Sequence, residues 1–153
     1  MDMISVSSGS TGKPFYWLRG EEQEKEAVLT LESIYVDSFG IDKQSTLFIV
    51  SFAMGVWIGG TLIHGATQTI AKSYDMTVVT PGINIPEVFK IIKSIGSHYG
   101  QIIIAGYPPF VKDIIDQGEG NGIDWKKYKI RFLFAAEAFS EKWRDYLYKK
   151  VGA

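Results

Sequence analysis

Short apolar runs rich in β-branched residues alternate along this chain with segments of helical period. Ile4 to Val6 predicts a short strand and Phe15 to Leu18 a second. From Glu21 the pattern turns helical. Val28, Leu31, Tyr35 and Phe39 share one face, the acidic Glu21-Glu22 pair suits the helix dipole, and Gly40 closes the segment. Leu47 to Phe52 predicts a strand and Met54 to Ala71 a helix, in which Gly55, Gly59, Gly60 and Gly65 would allow close approach to something flat. Met76 to Thr80 is the next strand, ending at Pro81-Gly82. Pro86 fits the first turn of a helix carrying Val88, Phe89, Ile91, Ile92 and Ile95, with Gly96 at its end. Gln101 to Ala105 predicts a strand, and Phe110, Val111, Ile114 and Ile115 a helical face stopped by Gly118. Lys129 to Phe134 is the last strand. Ser140 can cap a final helix with Trp143, Tyr146, Leu147 and Val151 on its inner side.

Repeated strand–helix units of this kind predict an α/β fold, a mostly parallel sheet flanked by helices on both faces. Open sheets of that class take their ligands at the carboxyl ends of the strands. Four segments are therefore expected along one rim: Phe52-Ala53-Met54, Thr80-Pro81-Gly82, Gly106-Tyr107-Pro108 and Ala135-Ala136-Glu137.

The uncharged stretch from Gln44 to Ala71 is long enough to raise a membrane-spanning reading, and Gly55 and Gly59 sit in it like a helix-dimer motif. It divides, however, into a β-rich piece and a glycine-rich piece broken by Thr61, His64, Thr67, Gln68 and Thr69, as a buried strand followed by a buried helix would. At 153 residues the chain has the size of one domain, spanning 1–153. Its net charge of −1 provides no electrostatic footprint for nucleic acid or an anionic membrane. The absence of cysteine excludes disulfides, thiolate metal sites and a cysteine nucleophile. His64 and His98 are too few for a histidine metal centre, and His64 has no relay partner nearby in sequence. His64 reads as a helix histidine and His98 as a solvent-facing one. The first residues lack the form of a signal peptide, which leaves a cytoplasmic location as the expectation.

The chemistry is concentrated in Ser7-Ser8-Gly9-Ser10-Thr11-Gly12-Lys13-Pro14. Glycines let backbone N–H groups turn toward an anion, while hydroxyls and a lysine add donors around phosphate oxygens. On residue types alone the run fits a phosphate loop or a solvated polar loop. It departs from the Walker A pattern, because Ser7 stands where a glycine is needed and Pro14 where the magnesium-ligating hydroxyl belongs.

Position by position, Ser7 to Pro14 resembles the phosphate-binding signature of the adenylate-forming enzymes, the superfamily of acyl-CoA synthetases, luciferases and peptide-synthetase adenylation domains. Phe15, in place of the usual trailing lysine, is similar to the phenylacetate-CoA ligase branch. The segment Leu133 to Glu141 resembles that branch's strand-to-helix motif, with Ala135 replacing a glycine and Ala138 a proline. The resemblance covers essentially the whole chain and implies part of the N-terminal domain of such an enzyme.

By that resemblance, Ser7, Ser8, Gly9, Ser10, Thr11, Gly12 and Lys13 would hold the phosphates of ATP, and Ala135, Ala136 and Glu137 would line adenine mainly through backbone groups. A carboxylate at Glu137 is also favourable simply by preceding a helix start at Ser140. Trp57 and Tyr107 are candidates for an acyl pocket, with aromatic core packing as the alternative. The implied reaction is attack of a carboxylate on the α-phosphate of ATP, followed by thioester formation with CoA. Magnesium would be carried by the nucleotide, with no acyl-enzyme nucleophile and no metal site of the protein's own.

The family's Tyr-Gly-x-[ST]-Glu motif, ribose-binding Asp and catalytic Lys have no counterpart in this sequence. The expectation is therefore a nucleotide-binding piece of a larger enzyme, inactive alone, that self-associates or meets a complementary chain. A noncatalytic nucleotide-binding or interaction module and an acyl-protein-synthetase-like adenylating subunit are the alternatives.

Overall fold

The structure is a computed structural model and describes residues 3–6 and 12–152. Two sheets are present. Strands β1 (Met3–Val6) and β2 (Tyr16–Arg19) form an antiparallel hairpin. Strands β3 (Thr46–Ser51), β4 (Met76–Val79), β5 (Gln101–Gly106) and β6 (Ile130–Phe134) form a four-stranded parallel sheet in the order β4-β3-β5-β6. Helices α1 (Glu21–Ile34), α2 (Ile58–Ile70), α3 (Ile85–Ile95), α4 (Pro108–Gly118) and α5 (Glu141–Val151) occupy the connections and the end of the described chain.

The central strands read as near-continuous apolar runs because both of their faces are covered. Every residue of β3 and β5 is buried. On one face, Leu47, Ile49, Ile102 and Ile104 pack with α3, α4 and α5 through Val88, Ile92, Val111, Ile114 and Leu147. On the other, Phe48, Val50, Ile103 and Ala105 pack with Tyr35 from the turn that follows α1 and with Ile63 and Ile70 from α2, and Val28 and Leu31 of α1 pack against them. The expected two-faced parallel sheet is what forms.

Several element ends are corrected by local geometry. Helix α2 starts at Ile58 rather than Met54, because Gly55 adopts a left-handed φ of 84° that no right-handed helix contains. The first helix runs on through a π-helical turn, Tyr35–Phe39, before Gly40 closes it with φ 62°. Ser140 does precede α5, but its hydroxyl makes no capping bond; its backbone carbonyl accepts from Trp143 and Arg144 instead. The side-chain cap lies at Asn84, which accepts from Glu87 N–H at 3.1 Å. His64 is on α2 and His98 is exposed, as read from the sequence. No helix among the described residues is long and apolar enough to cross a membrane.

Two polar contacts tie layers together. The Tyr35 and Thr67 hydroxyls lie 2.9 Å apart, both buried, bracing the first helical segment against α2. Burial pushes the Tyr35 phenol up to about 12, outweighing the hydrogen bond with Thr67, so the ring stays neutral. On the opposite face, Asp116 of α4 accepts hydrogen bonds from Lys112 and from Tyr146 of α5. Burial alone would raise the Asp116 carboxyl, but these donors prevail and hold it below its usual range. The same carboxylate raises Tyr146 to about 12.

Tyr35→Phe should destabilise the fold by about 1–2 kcal/mol, since it leaves a buried Thr67 hydroxyl without its partner. Urea unfolding of Tyr35→Phe, Thr67→Val and the double variant checks this, and the two losses should be less than additive. Because folding lowers the Asp116 pKa, its contribution is present above the unfolded carboxyl value and is lost as pH falls through the folded one. Between neutral and acid pH, wild type should therefore lose more of its urea resistance than Asp116→Asn.

Candidate functional site

The strand order creates the site. From β3 the chain crosses to β4 at one edge, then returns past β3 to reach β5 and β6. The connecting helices change faces with that reversal: α2 contributes to one core and α3 and α4 to the other. The segments leaving β3 and β5 therefore diverge and open a crevice between adjacent strand ends.

That crevice is a cleft of about 740 Å³. The β3 side contributes Ser51, Phe52, Ala53, Trp57, Ile58, Gly59 and Gly60, and the β5 side Tyr107 and Phe110. Ile83 follows the β4 end, Ala136 and Glu137 follow β6, and Val6 closes the hairpin side. All four strand ends read from the sequence thus contribute at or beside the expected residues.

Trp57 and Tyr107 occupy equivalent places. Each is the N-cap residue of the helix following a central strand, with extended backbone at φ −74° and −75°. Neither is core: they are 40% and 42% exposed and stand at the cleft. The positive ends of α2 and α4 therefore face the same rim.

Glycine sets the cleft floor on the α2 side. A Cβ on Gly60 would lie 2.2 Å from the Ala53 carbonyl oxygen, and one on Gly59 would lie 3.4 Å from the Phe52 ring. The flat surface foreseen for these glycines is the chain's own β3–α2 turn. Gly65 meets nothing within 4 Å, so close approach is not its role.

The end of β1 meets this rim. Val6 N–H donates to the Val56 carbonyl at 2.9 Å, and Val6 forms a parallel bridge with Trp57. Two strands alone make a marginal sheet. Arg19, 6% exposed, anchors this one by pairing with Glu24 at 2.8 Å and donating to the Thr61 hydroxyl at 3.2 Å. Ser7, Ser8, Gly9, Ser10 and Thr11 lie outside the described residues. Gly12 and Lys13 are exposed between the two strands, Gly12 with φ 148°.

At the β6 end, Ala135 is half-buried and packs with the α1–α2 core, whereas Ala136 and Glu137 are exposed. Ala136 has φ 77°, the sole left-handed non-glycine among the described residues, at a cost of about 1–2 kcal/mol. Strain of this kind collects at ligand sites. Glu137 is the only charged residue lining the cleft among those described.

Sequence patterning missed Ser51, Ile83 and Phe110 as cleft residues. Phe110 read as a helix-face residue, Ser51 was absorbed into a buried strand, and only the exposure of Ile83, at 65%, sets it apart. Among the described residues, no three His, Asp or Glu side chains converge as a metal site.

No family model and no curated protein sequence matches the chain. Solved structures do match in fold. A 2-hydroxyisobutyryl-CoA ligase in complex with 2-HIB-AMP and CoA superposes with TM-score 0.74 at 14% identity, over 98% of this chain and 31% of that one. An ATP-bound RpMatB-BxBclM chimera gives TM-score 0.61 at 12% identity, over 98% of this chain and 27% of its own. A luciferase-like enzyme from the mealworm Zophobas morio gives 0.57 at 18%, over 95% and 31%.

Gly60→Ala should lower stability by about 1–2 kcal/mol despite a helix-propensity gain near 1 kcal/mol, because the added methyl must displace a backbone carbonyl. Gly65→Ala, made into open space, should be neutral or stabilising by up to about 1 kcal/mol. Thermal or urea unfolding of the pair gives the contrast.

The chain spans about a third of the length of these structural neighbours, and its fold is that of part of the adenylate-forming enzymes.

Proposed function

We propose that this chain is the nucleotide- and acid-binding part of a carboxylate-activating ligase similar to the phenylacetate-CoA ligases. The observation that carries the reading is the convergence on one cleft of Val6, which precedes the phosphate-loop sequence, with Trp57, Tyr107, Ala136 and Glu137. The cleft volume lies in the ordinary range for small-molecule sites.

The residues present fit a nucleotide. Lys13, exposed between the two hairpin strands, would supply a cation, the N-termini of α2 and α4 favour an anion at the rim, and the backbone at Ala135 and Ala136 would offer an edge for adenine. Ser7, Ser8, Gly9, Ser10, Thr11 and Gly12 complete the phosphate cradle in this proposal. Magnesium would be held by the nucleotide's phosphates. Trp57, Tyr107, Phe110 and Ile83 give the acid an apolar enclosure that excludes water. When bound, ATP supplies the α-phosphorus that a carboxylate attacks and a pyrophosphate leaving group; CoA is the thiol acceptor of the full enzyme.

The complete reaction is proposed for an assembly that also supplies what the remaining two thirds of the neighbours' length provides. A complementary chain would do so, and self-association of this chain is proposed as the other assembly. Cytoplasmic residence belongs to the same proposal.

Calorimetry with ATP and AMP, with and without magnesium, tests the nucleotide site directly. Lys13→Ala should weaken ATP binding by on the order of 1–3 kcal/mol through loss of a charge-assisted contact. Equal affinity in wild type and a Lys13→Ala, Thr11→Ala double variant would exclude the loop from nucleotide binding.

A further inference from the structure

Strand β6 ends the parallel sheet: it pairs with β5 on one side and with no described strand on the other. Ile102 N–H donates to the Lys129 carbonyl at 2.9 Å. In a parallel ladder each residue turns both backbone groups to one side and successive residues alternate. Arg131 and Leu133 therefore bond to β5, while Ile130, Phe132 and Phe134 present their N–H and C=O groups outward. An edge of this kind is a template for a further strand.

The edge lies in a groove of about 320 Å³, bounded by Phe39 of the π-helical turn on one side and by Phe139 and Arg144 on the α5 side. Arg131 lines it from one face of the strand and Phe132 and Phe134 from the other, so the groove follows the strand edge rather than either face of the sheet. Its α5 side is aromatic. The Phe134 ring stacks on Phe132 and Phe139 at centroid distances of 5.5 and 4.5 Å, and the Arg144 guanidinium lies 5.6 Å from the Phe139 centroid.

The charge around this edge has one dominant sign. Between Lys126 and Lys150, eight Lys and Arg stand against three Asp and Glu. Arg144 is paired with Glu141, whereas half-buried Arg131 makes no hydrogen bond or ion pair with any described residue. A second copy of β6 would bring another Arg131 into a groove that already holds two arginines, and like charges across paired strands repel. An acidic strand meets the opposite sign.

We propose that the free edge of β6 takes a strand from a different polypeptide, an extended segment in which acidic and apolar residues alternate. Its backbone bonds to the outward groups of Ile130, Phe132 and Phe134. With a period of two, its acidic side chains fall on the Arg131 face and its apolar ones on the Phe132, Phe134 and Phe139 stack. The inference names where the complementary chain proposed above attaches and rests on that reading for the partner's existence; the groove shares no described residue with the cleft.

The probes are capped, fluorescently labelled peptides of four Glu-Val repeats, the same peptide N-methylated at alternate residues on either edge, and four Lys-Val repeats. Binding to the 153-residue chain is read by anisotropy without nucleotide. The Glu-Val peptide should bind at least about tenfold more tightly than the Lys-Val peptide. N-methylation on one of the two edges should abolish its binding, because the backbone donors facing β6 are then blocked. Arg131→Glu should weaken the Glu-Val peptide by about tenfold and strengthen the Lys-Val peptide, a gain that an unfolded chain would not show. Should that variant not fold, Arg131→Gln should still narrow the preference.

No binding of the Glu-Val peptide, equal binding of both peptides, or binding indifferent to N-methylation on either edge would overturn the proposal. A wild-type dimer that the Glu-Val peptide dissociates would assign the edge to a second copy and overturn the choice of partner. These results leave the nucleotide calorimetry untouched, whereas a chain that binds the peptide but neither ATP nor AMP would lose the ligase reading and keep this edge.

Discussion

Parallel pairing of β3 with β5 is the constraint on which the rest of the molecule depends. Both strands are buried along their whole length, so their backbone groups must be satisfied by neighbouring strands rather than by water. The chain reaches this pairing only by running out to β4 and back past β3. That path sends α2 to one face and α3 and α4 to the other, and the strand ends between α2 and α4 cannot be filled by either helix. The cleft is a consequence of topology, and its position would survive wide variation in the residues that line it.

Finer features of the site depend on close backbone approaches around that crevice. Gly60 allows the first turn of α2 to lie against the Ala53 carbonyl, and Ala136 accepts a left-handed conformation where the chain leaves β6. The hairpin has an outward face that includes exposed Ile4, Tyr16 and Leu18, and it is secured to the helices by Arg19. These devices are local and individually modest, a few kcal/mol at most. Together they bring the end of β1 to the strand ends. The two helix N-termini at the opening favour an anion there, while the lining is mostly apolar, with Glu137 the only charged residue among those described.

The chain by itself determined the elements, the parallel two-faced sheet and the strand ends that meet at the cleft. These are written in local pattern: unbroken apolar runs at Leu47 to Phe52 and Gln101 to Ala105, amphipathic periods between them, and glycine or proline after nearly every strand. The resemblance of Ser7 to Pro14 to a phosphate loop could also be read from residue types alone, without long-range contacts. Tertiary structure alone decided what brings separated residues together. Trp57 and Tyr107 could have been core aromatics; only the strand order, which no local pattern encodes, turned both toward one opening. Glycine in a helical pattern reads the same at Gly55, Gly60 and Gly65, yet one makes a turn, one meets a carbonyl and one faces open space. Ser51 looked like an ordinary strand residue, and only the register that sets it beside Gly106 at the end of β5 gives it a place at the cleft.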